Sequence, residues 1–206
     1  MPASAQVAIV YHTGYGHTGV LADGIAQGVR DAGDTPVLLK IEDAGQDFGP
    51  ILDAVSTSDA VIFGAPTYMG DVSAAFKAFA EASSKVFFTG GWADKLAAGF
   101  TNSHSFAGDK EHALASLSVL AAQHGMNWIN LGIPAPNVTA AERGPDVLNR
   151  VGAFAGLAAQ SDNVSAELSP PPGDRETARL LGVRVARAAR RWRDGVTDAS
   201  EQAQAA

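Results

Sequence analysis

Apolar residues along this chain fall into short unbroken runs separated by amphipathic stretches, and the two patterns alternate from residue 6 to residue 131. The runs at 6–11, 36–41, 59–65, 96–101 and 127–131 are rich in Val, Ile, Leu, Phe and Ala without a polar alternation, as expected of strands buried on both faces. Between them, 18–32, 47–56, 72–82 and 109–123 repeat apolar residues at helical spacing. Leu21, Ile25 and Val29 share one face, Phe76 and Phe79 another, and Leu114, Leu117 and Ala121 a third. Strands alternating with helices predict parallel βαβ units, and five of them predict an α/β doubly wound parallel sheet of order 2-1-3-4-5 with helices on both faces.

Beyond residue 131 the periodicity stops. Residues 132–173 carry Pro134, Pro136, Pro145 and the run Pro170-Pro171-Pro172, a stretch too long for an ordinary connection and predicted to be a functional loop or disordered. Helical spacing returns at 174–193 through Ala178, Leu181, Val185, Ala188 and Trp192, with the arginines of that segment expected on a solvated face. We expect one domain over residues 1–193 and a frayed, polar and alanine-rich tail over 194–206.

The first strand runs into Thr13-Gly14-Tyr15-Gly16-His17-Thr18-Gly19 and then directly into a helix. Glycines let several backbone N–H groups converge on one point, and the helix N-terminus adds its positive end, so the loop is predicted to grip a phosphate. Gly14, Gly16 and Gly19 also spell the G-x-G-x-x-G of a dinucleotide site, but 22 of the 206 residues are glycine, which makes that match unspecific. The flanking hydroxyls of Thr13 and Thr18 favour the terminal phosphate dianion of a mononucleotide, which has more acceptor oxygens than a bridging pyrophosphate. The third strand ends in Pro66-Thr67-Tyr68-Met69-Gly70, a turn that offers an aromatic ring and a thioether beside the switch point of the sheet. One loop is thus suited to a phosphate and the other to a flat ring.

Charge and composition narrow the partners. A formal charge of −7 disfavours nucleic acid, and zero cysteines exclude thiol catalysis, disulfides and thiolate metal sites. No metal site is expected, since His104 and His112 have no carboxylate arranged near them in sequence. The N-terminal residues lack the basic and apolar regions of a signal peptide and no run reaches membrane-spanning length, so a cytoplasmic chain without membrane contact is expected.

The strand order, the loop from Thr13 to Thr18, the turn from Pro66 to Gly70, and His124-Gly125-Met126 after the fourth helix together resemble flavodoxin-like FMN proteins of the WrbA-type NAD(P)H:quinone oxidoreductase family, over residues 7–130 and faintly in the last helix. The resemblance implies an FMN cofactor, NADH or NADPH as electron donor, a quinone-like acceptor and a homodimer or homotetramer. It implies that Thr13, Gly14, Tyr15, Gly16, His17 and Thr18 hold the phosphate, with Tyr15 also facing the nicotinamide. Pro66, Thr67, Tyr68, Met69 and Gly70 would bracket the isoalloxazine, and Thr101, Asn102, Ser103, His104 and Ser105 would follow its edge and the ribityl chain. His124 would close one side of the ring, and Phe87 stands where the family has an aromatic wall for the substrate. Helix capping competes as a role for His17 and His124, and ordinary packing competes for Tyr68, Met69 and Phe87. No protein nucleophile is needed, because the flavin carries the chemistry. An electron carrier of the flavodoxin type that docks to redox proteins is the alternative function; an NAD-binding dehydrogenase lacks visible catalytic company.

Overall fold

The computed structural model describes residues 4–204, with side chains through Gly195. Its elements are β1 (Gln6–His12), α1 (His17–Asp31), β2 (Thr35–Ile41), α2 (Gly49–Thr57), β3 (Ala60–Tyr68), β4 (Asp71–Val72), α3 (Ala74–Ala82), α4 (Ser84–Phe87), β5 (Leu96–Ser103), α5 (Lys110–Gln123), β6 (Asn127–Trp128), β7 (Leu157–Gln160) and α6 (Pro172–Gln204). The main sheet runs β2-β1-β3-β5-β6 and is parallel throughout, as the alternating pattern predicts once the short β4 is set aside.

Period-two geometry sorts the apolar runs onto two cores. Val7, Ile9, Ala60 and Ile62 point to the face covered by α1 and α6, while Ala8, Val10, Val61 and Phe63 point to the face covered by α2, α3 and α5. Both sides of β1, β3 and β5 are therefore dry, which explains their unbroken apolar sequences. On the first face α1 and α6 approach closely because glycines stand at the crossing. A Cβ on Gly28 would lie 1.8 Å from the Arg179 carbonyl oxygen, and one on Gly182 would lie 2.1 Å from that of Ile25. Arg184, Arg187 and Arg191 of α6 are exposed as expected, whereas Arg179 and Arg190 are partly covered and paired. Arg179 pairs with Asp31 at 2.7 Å, and Arg190 pairs with the buried Asp34 at 3.0 Å, pinning the two helices together.

The fifth lane of the sheet differs from the expected strand at 127–131. Only Asn127 and Trp128 pair there, opposite Leu96 and Ala97, before the chain turns away near Gly132 and runs as an excursion over residues 129–156. It returns as β7, whose Leu157 to Gln160 pair with Phe100 to Ser103 further along β5. Two strand fragments thus share one lane. The third helix begins later than its apolar pattern, because Ser73 caps it by accepting from the Phe76 N–H at 3.4 Å. Helix α6 continues past Arg193 to Gln204; the tail expected at 194–206 lies, for its last two residues and its side chains beyond Gly195, outside the described residues.

Candidate functional site

At the carboxyl edge of the sheet, β1 gives way to the loop of Thr13 to Gly16, and α1 starts at His17 with its N–H groups directed back at that loop. The Thr13 hydroxyl is buried and has no hydrogen-bond partner, and Thr18 is buried beside it in the first turn of α1. A buried hydroxyl without a partner is costly in an empty loop and useful in one built around an acceptor. Gly14 leaves room for the neighbouring loop: a Cβ there would lie 2.3 Å from the Tyr68 hydroxyl, so that phenol lies across the glycine-rich loop.

Tyr68 is the last residue of β3 and enters a tight hairpin in which Met69 and Gly70 both have positive φ, 50° and 85°. Those angles suit the twist of a two-residue hairpin, and they carry the chain into β4 with Tyr68 opposite Asp71. The Tyr68 ring meets that of Tyr15 edge to face at 6.5 Å. Tyr15 is 82% exposed, so its face is available for stacking. Burial, and after it the nearby Tyr15, raises the pKa of the Tyr68 phenol, which keeps it a neutral donor at physiological pH.

Behind this aromatic pair the polar groups are largely spent on one another. The Thr101 hydroxyl donates to the Ala65 carbonyl at 2.8 Å, which leaves it to accept from the Thr67 hydroxyl at 2.7 Å. The two threonines thereby staple β3 to β5 under the cleft. Asn102 accepts from the Ser161 hydroxyl through Oδ1 at 2.8 Å, leaving its Nδ2 hydrogens uncommitted to that contact. His104 donates from Nδ1 to the Ser161 carbonyl at 3.3 Å, and His17 donates from Nε2 to the Val164 carbonyl at 2.8 Å. The segment after β7 therefore ties both flanking loops together. The result is a cleft of about 420 Å³ walled by Tyr15, His17, Pro66, Thr67, Tyr68, Asn102, Ser103 and His104 together with Ser161, Asp162 and Asn163.

Most of the residues nominated from sequence converge here, and several do not. Met69 stands at the hairpin tip, 104% exposed, and Ser105 lies on the outer part of its loop. His124 and Phe87 sit elsewhere, in a groove of about 490 Å³ between α3 and α5. The physical reason is the direction of the helices. In a parallel βαβ unit a helix runs antiparallel to the strands, so the C-terminus of α5 and the segment preceding β5 lie at the amino edge of the sheet, opposite the cleft. His124 packs 4.4 Å from the Trp92 ring centroid and donates from Nε2 to the Ser83 hydroxyl at 2.9 Å, which itself donates to the Ala80 carbonyl. Its Nδ1 has no partner, and burial lowers its pKa, so it is a neutral packed imidazole in this chain. Ser161, Asp162 and Asn163 were not nominated; a polar triplet directly after the short apolar run Leu157 to Gln160 is the signal that marks them. Among the described residues no group of three or more His, Asp or Glu is placed to hold a metal ion, and no helix is long and apolar enough to cross a membrane.

An orphaned threonine hydroxyl, a glycine cradle at a helix N-terminus and a tyrosine-flanked cleft fit the phosphate and ring of FMN. Comparisons with known proteins agree. The profile of a family described as NADPH-dependent FMN reductase matches residues 17–138. The flavodoxin FldP of Pseudomonas aeruginosa (strain UCBPP-PA14) is 38% identical over 183 residues, covering 89% of this chain and 96% of the relative. An NAD(P)H dehydrogenase (quinone) of Trichlorobacter lovleyi is 26% identical over 150 residues, 63% of this chain and 72% of its own. A crystal structure described as a flavodoxin, WrbA-like protein from Agrobacterium tumefaciens superposes with a TM-score of 0.72 at 40% identity, covering 91% of this chain and 99% of the other. By fold and by sequence, this chain belongs to the NADPH-dependent FMN reductase family.

Proposed function

We propose that this oxidoreductase passes two electrons from NADH or NADPH through FMN to a quinone-like acceptor. The observation that carries the reading is the open cleft walled by Tyr15 and Tyr68, together with the unpartnered Thr13 hydroxyl in the adjoining loop. The loop N–H groups, Thr13 and Thr18 bind the phosphate, and the free Nδ2 of Asn102 offers a donor to the polar edge of the ring. When bound, the flavin accepts hydride from the nicotinamide and delivers two electrons to the acceptor. Tyr15 and Tyr68 supply apolar faces along which planar donor and planar acceptor align in turn. Because both partners use one stacking place, the oxidised nicotinamide leaves before the quinone enters.

Steady-state rates at several fixed NADPH or NADH concentrations are therefore expected to give parallel double-reciprocal lines with benzoquinone or naphthoquinone; intersecting lines would remove the shared-site scheme. Tyr68→Ala should raise the quinone KM severalfold, whereas Phe87→Ala, on the opposite edge of the sheet, should leave it unchanged.

A relative that covers 89% of this chain is named a flavodoxin, which favours a second reading, a carrier that docks to redox proteins. In that case reductive titration would proceed in two resolved one-electron steps, and turnover with free nicotinamide and quinone would be negligible.

We also propose at least a dimer, of cytoplasmic location. Phe88 and Phe154 are exposed and available to a neighbour, whereas Trp92, an equally apolar candidate, is fully buried against Phe79 with its indole N–H on Ser56. Sedimentation at micromolar concentration should show a species of at least twice the chain mass, and a monomer alone would overturn this.

A further inference from the structure

Lys110 opens α5 directly beneath the loop that follows β5, and its side chain is nearly out of solvent at 2% exposure. Its Nζ makes three hydrogen bonds, to the Ser103 hydroxyl at 2.9 Å, the Ser105 carbonyl at 2.7 Å and the Phe106 carbonyl at 2.8 Å. An ammonium has three hydrogens, so every donor is used. All three acceptors lie on the loop whose Asn102, Ser103 and His104 line the cleft. The backbone is bent to allow this reach: Gly108 and Asp109 both have positive φ, 55° and 52°, and they fold α5 back under its own preceding loop.

A buried lysine is costly, and an apolar side chain of similar length would fill the same space. What the apolar side chain lacks is three directed donors. The charges facing Lys110 from other elements are Asp174 at the start of α6 and Arg150 of the excursion, and these pair with each other at 3.1 Å. Arg150 also stands 5.5 Å over the Phe106 ring, so the same loop is clamped from below by an ammonium and from the side by a guanidinium.

We propose that Lys110 is a positioning residue of the cofactor site: its ammonium holds residues 103–106 in the shape that lays Asn102, Ser103 and His104 along the cleft, and so sets the affinity for FMN. This rests on the flavin reading of the cleft. Burial lowers the pKa of Lys110 to about 8, so the proton is lost within a workable range of pH. A neutral amine has two hydrogens and a lone pair; one of the three oxygens then faces that lone pair, and the loop loosens.

The test measures the FMN dissociation constant by quenching of flavin fluorescence from pH 7 to 9.5, for the natural chain, Lys110→Met and Lys110→Arg. In parallel, chymotryptic cleavage after Phe106 is followed in the FMN-free proteins at pH 7. The natural chain should weaken by about fivefold across this range, the loss of roughly one net hydrogen bond. Lys110→Met should be weaker at pH 7 with no step, which also controls for titration of the flavin itself, and Lys110→Arg, which stays charged, should show no step either. Cleavage after Phe106 should be faster in Lys110→Met. A level profile in the natural chain, with Lys110→Met binding as tightly and cleaved no faster, overturns this proposal alone. Failure of the natural chain to bind FMN at pH 7 overturns the flavin reading and this proposal with it.

Discussion

Removal of the Thr13 hydroxyl is expected to move cofactor affinity and folding stability in opposite directions. Thr13→Val keeps the shape of the side chain and deletes a buried oxygen that has no partner in the loop. A hydrogen bond to a charged acceptor is worth about 1.5–3 kcal/mol, so FMN should bind tenfold or more weakly, and weaker still when Thr18→Ala is added. In the FMN-free protein the same change relieves an unsatisfied buried group and should stabilise the fold by about 1 kcal/mol. Fluorescence titration with FMN checks the first half, and thermal melting of the FMN-free protein checks the second. Unchanged affinity in the double variant would remove the phosphate from this loop.

Arg150→Met is expected to be the most damaging single change to the fold. Arg150 and Asp174 are both buried and bonded at 3.1 Å, and the guanidinium also reaches the Gln160 carbonyl at 3.1 Å and its side-chain amide oxygen. Asp174 in turn accepts from the Gln160 N–H at 2.9 Å. Removing one member leaves a buried carboxylate uncompensated, at a cost of about 3–5 kcal/mol. The sign of the pH dependence follows from Asp174, whose pKa is raised by burial, an effect that the Gln160 N–H and Arg150 partly oppose. A carboxyl with a raised native pKa favours folding below its unfolded value of about 3.9, and that advantage disappears as pH rises through the native value. Without Arg150 the native value rises further, so the deficit of the variant should be full near pH 7.5 and smaller near pH 5. Urea unfolding at the two pH values measures it; a deficit that does not change with pH would contradict the assignment.

How much of this was legible in the sequence depended on how locally each feature is encoded. The central strands were readable because burial on both faces leaves continuous runs such as Val7 to Val10 and Ala60 to Ala65. The glycine-rich loop at residues 13–16 was readable as a turn because it lies in consecutive residues between one strand and one helix. The split lane was not: Leu157 to Gln160 is a four-residue run of mostly small side chains, and its place beside β5 depends on where an aperiodic excursion returns. Ser161, Asp162 and Asn163 were hidden for the same reason, since their neighbours in the cleft are distant in sequence. Lys110 carries no local mark of its role, because the three oxygens it holds lie on a loop whose shape only the fold sets. His124 and Phe87 were nominated by resemblance alone, and helix direction puts both at the other edge of the sheet.

The interrupted lane also bears on how copies of this chain can meet. A long open strand at the rim of a sheet invites another strand to pair with it, but here one rim consists of a two-residue and a four-residue fragment separated by the excursion. The opposite rim, β2, carries Pro36, which has no N–H to offer, and Lys40, a charge that resists stacking against a second copy. Neither rim is a template for growing a continuous intermolecular sheet. Growth of a sheet from copy to copy by backbone pairing is thereby disfavoured at both rims.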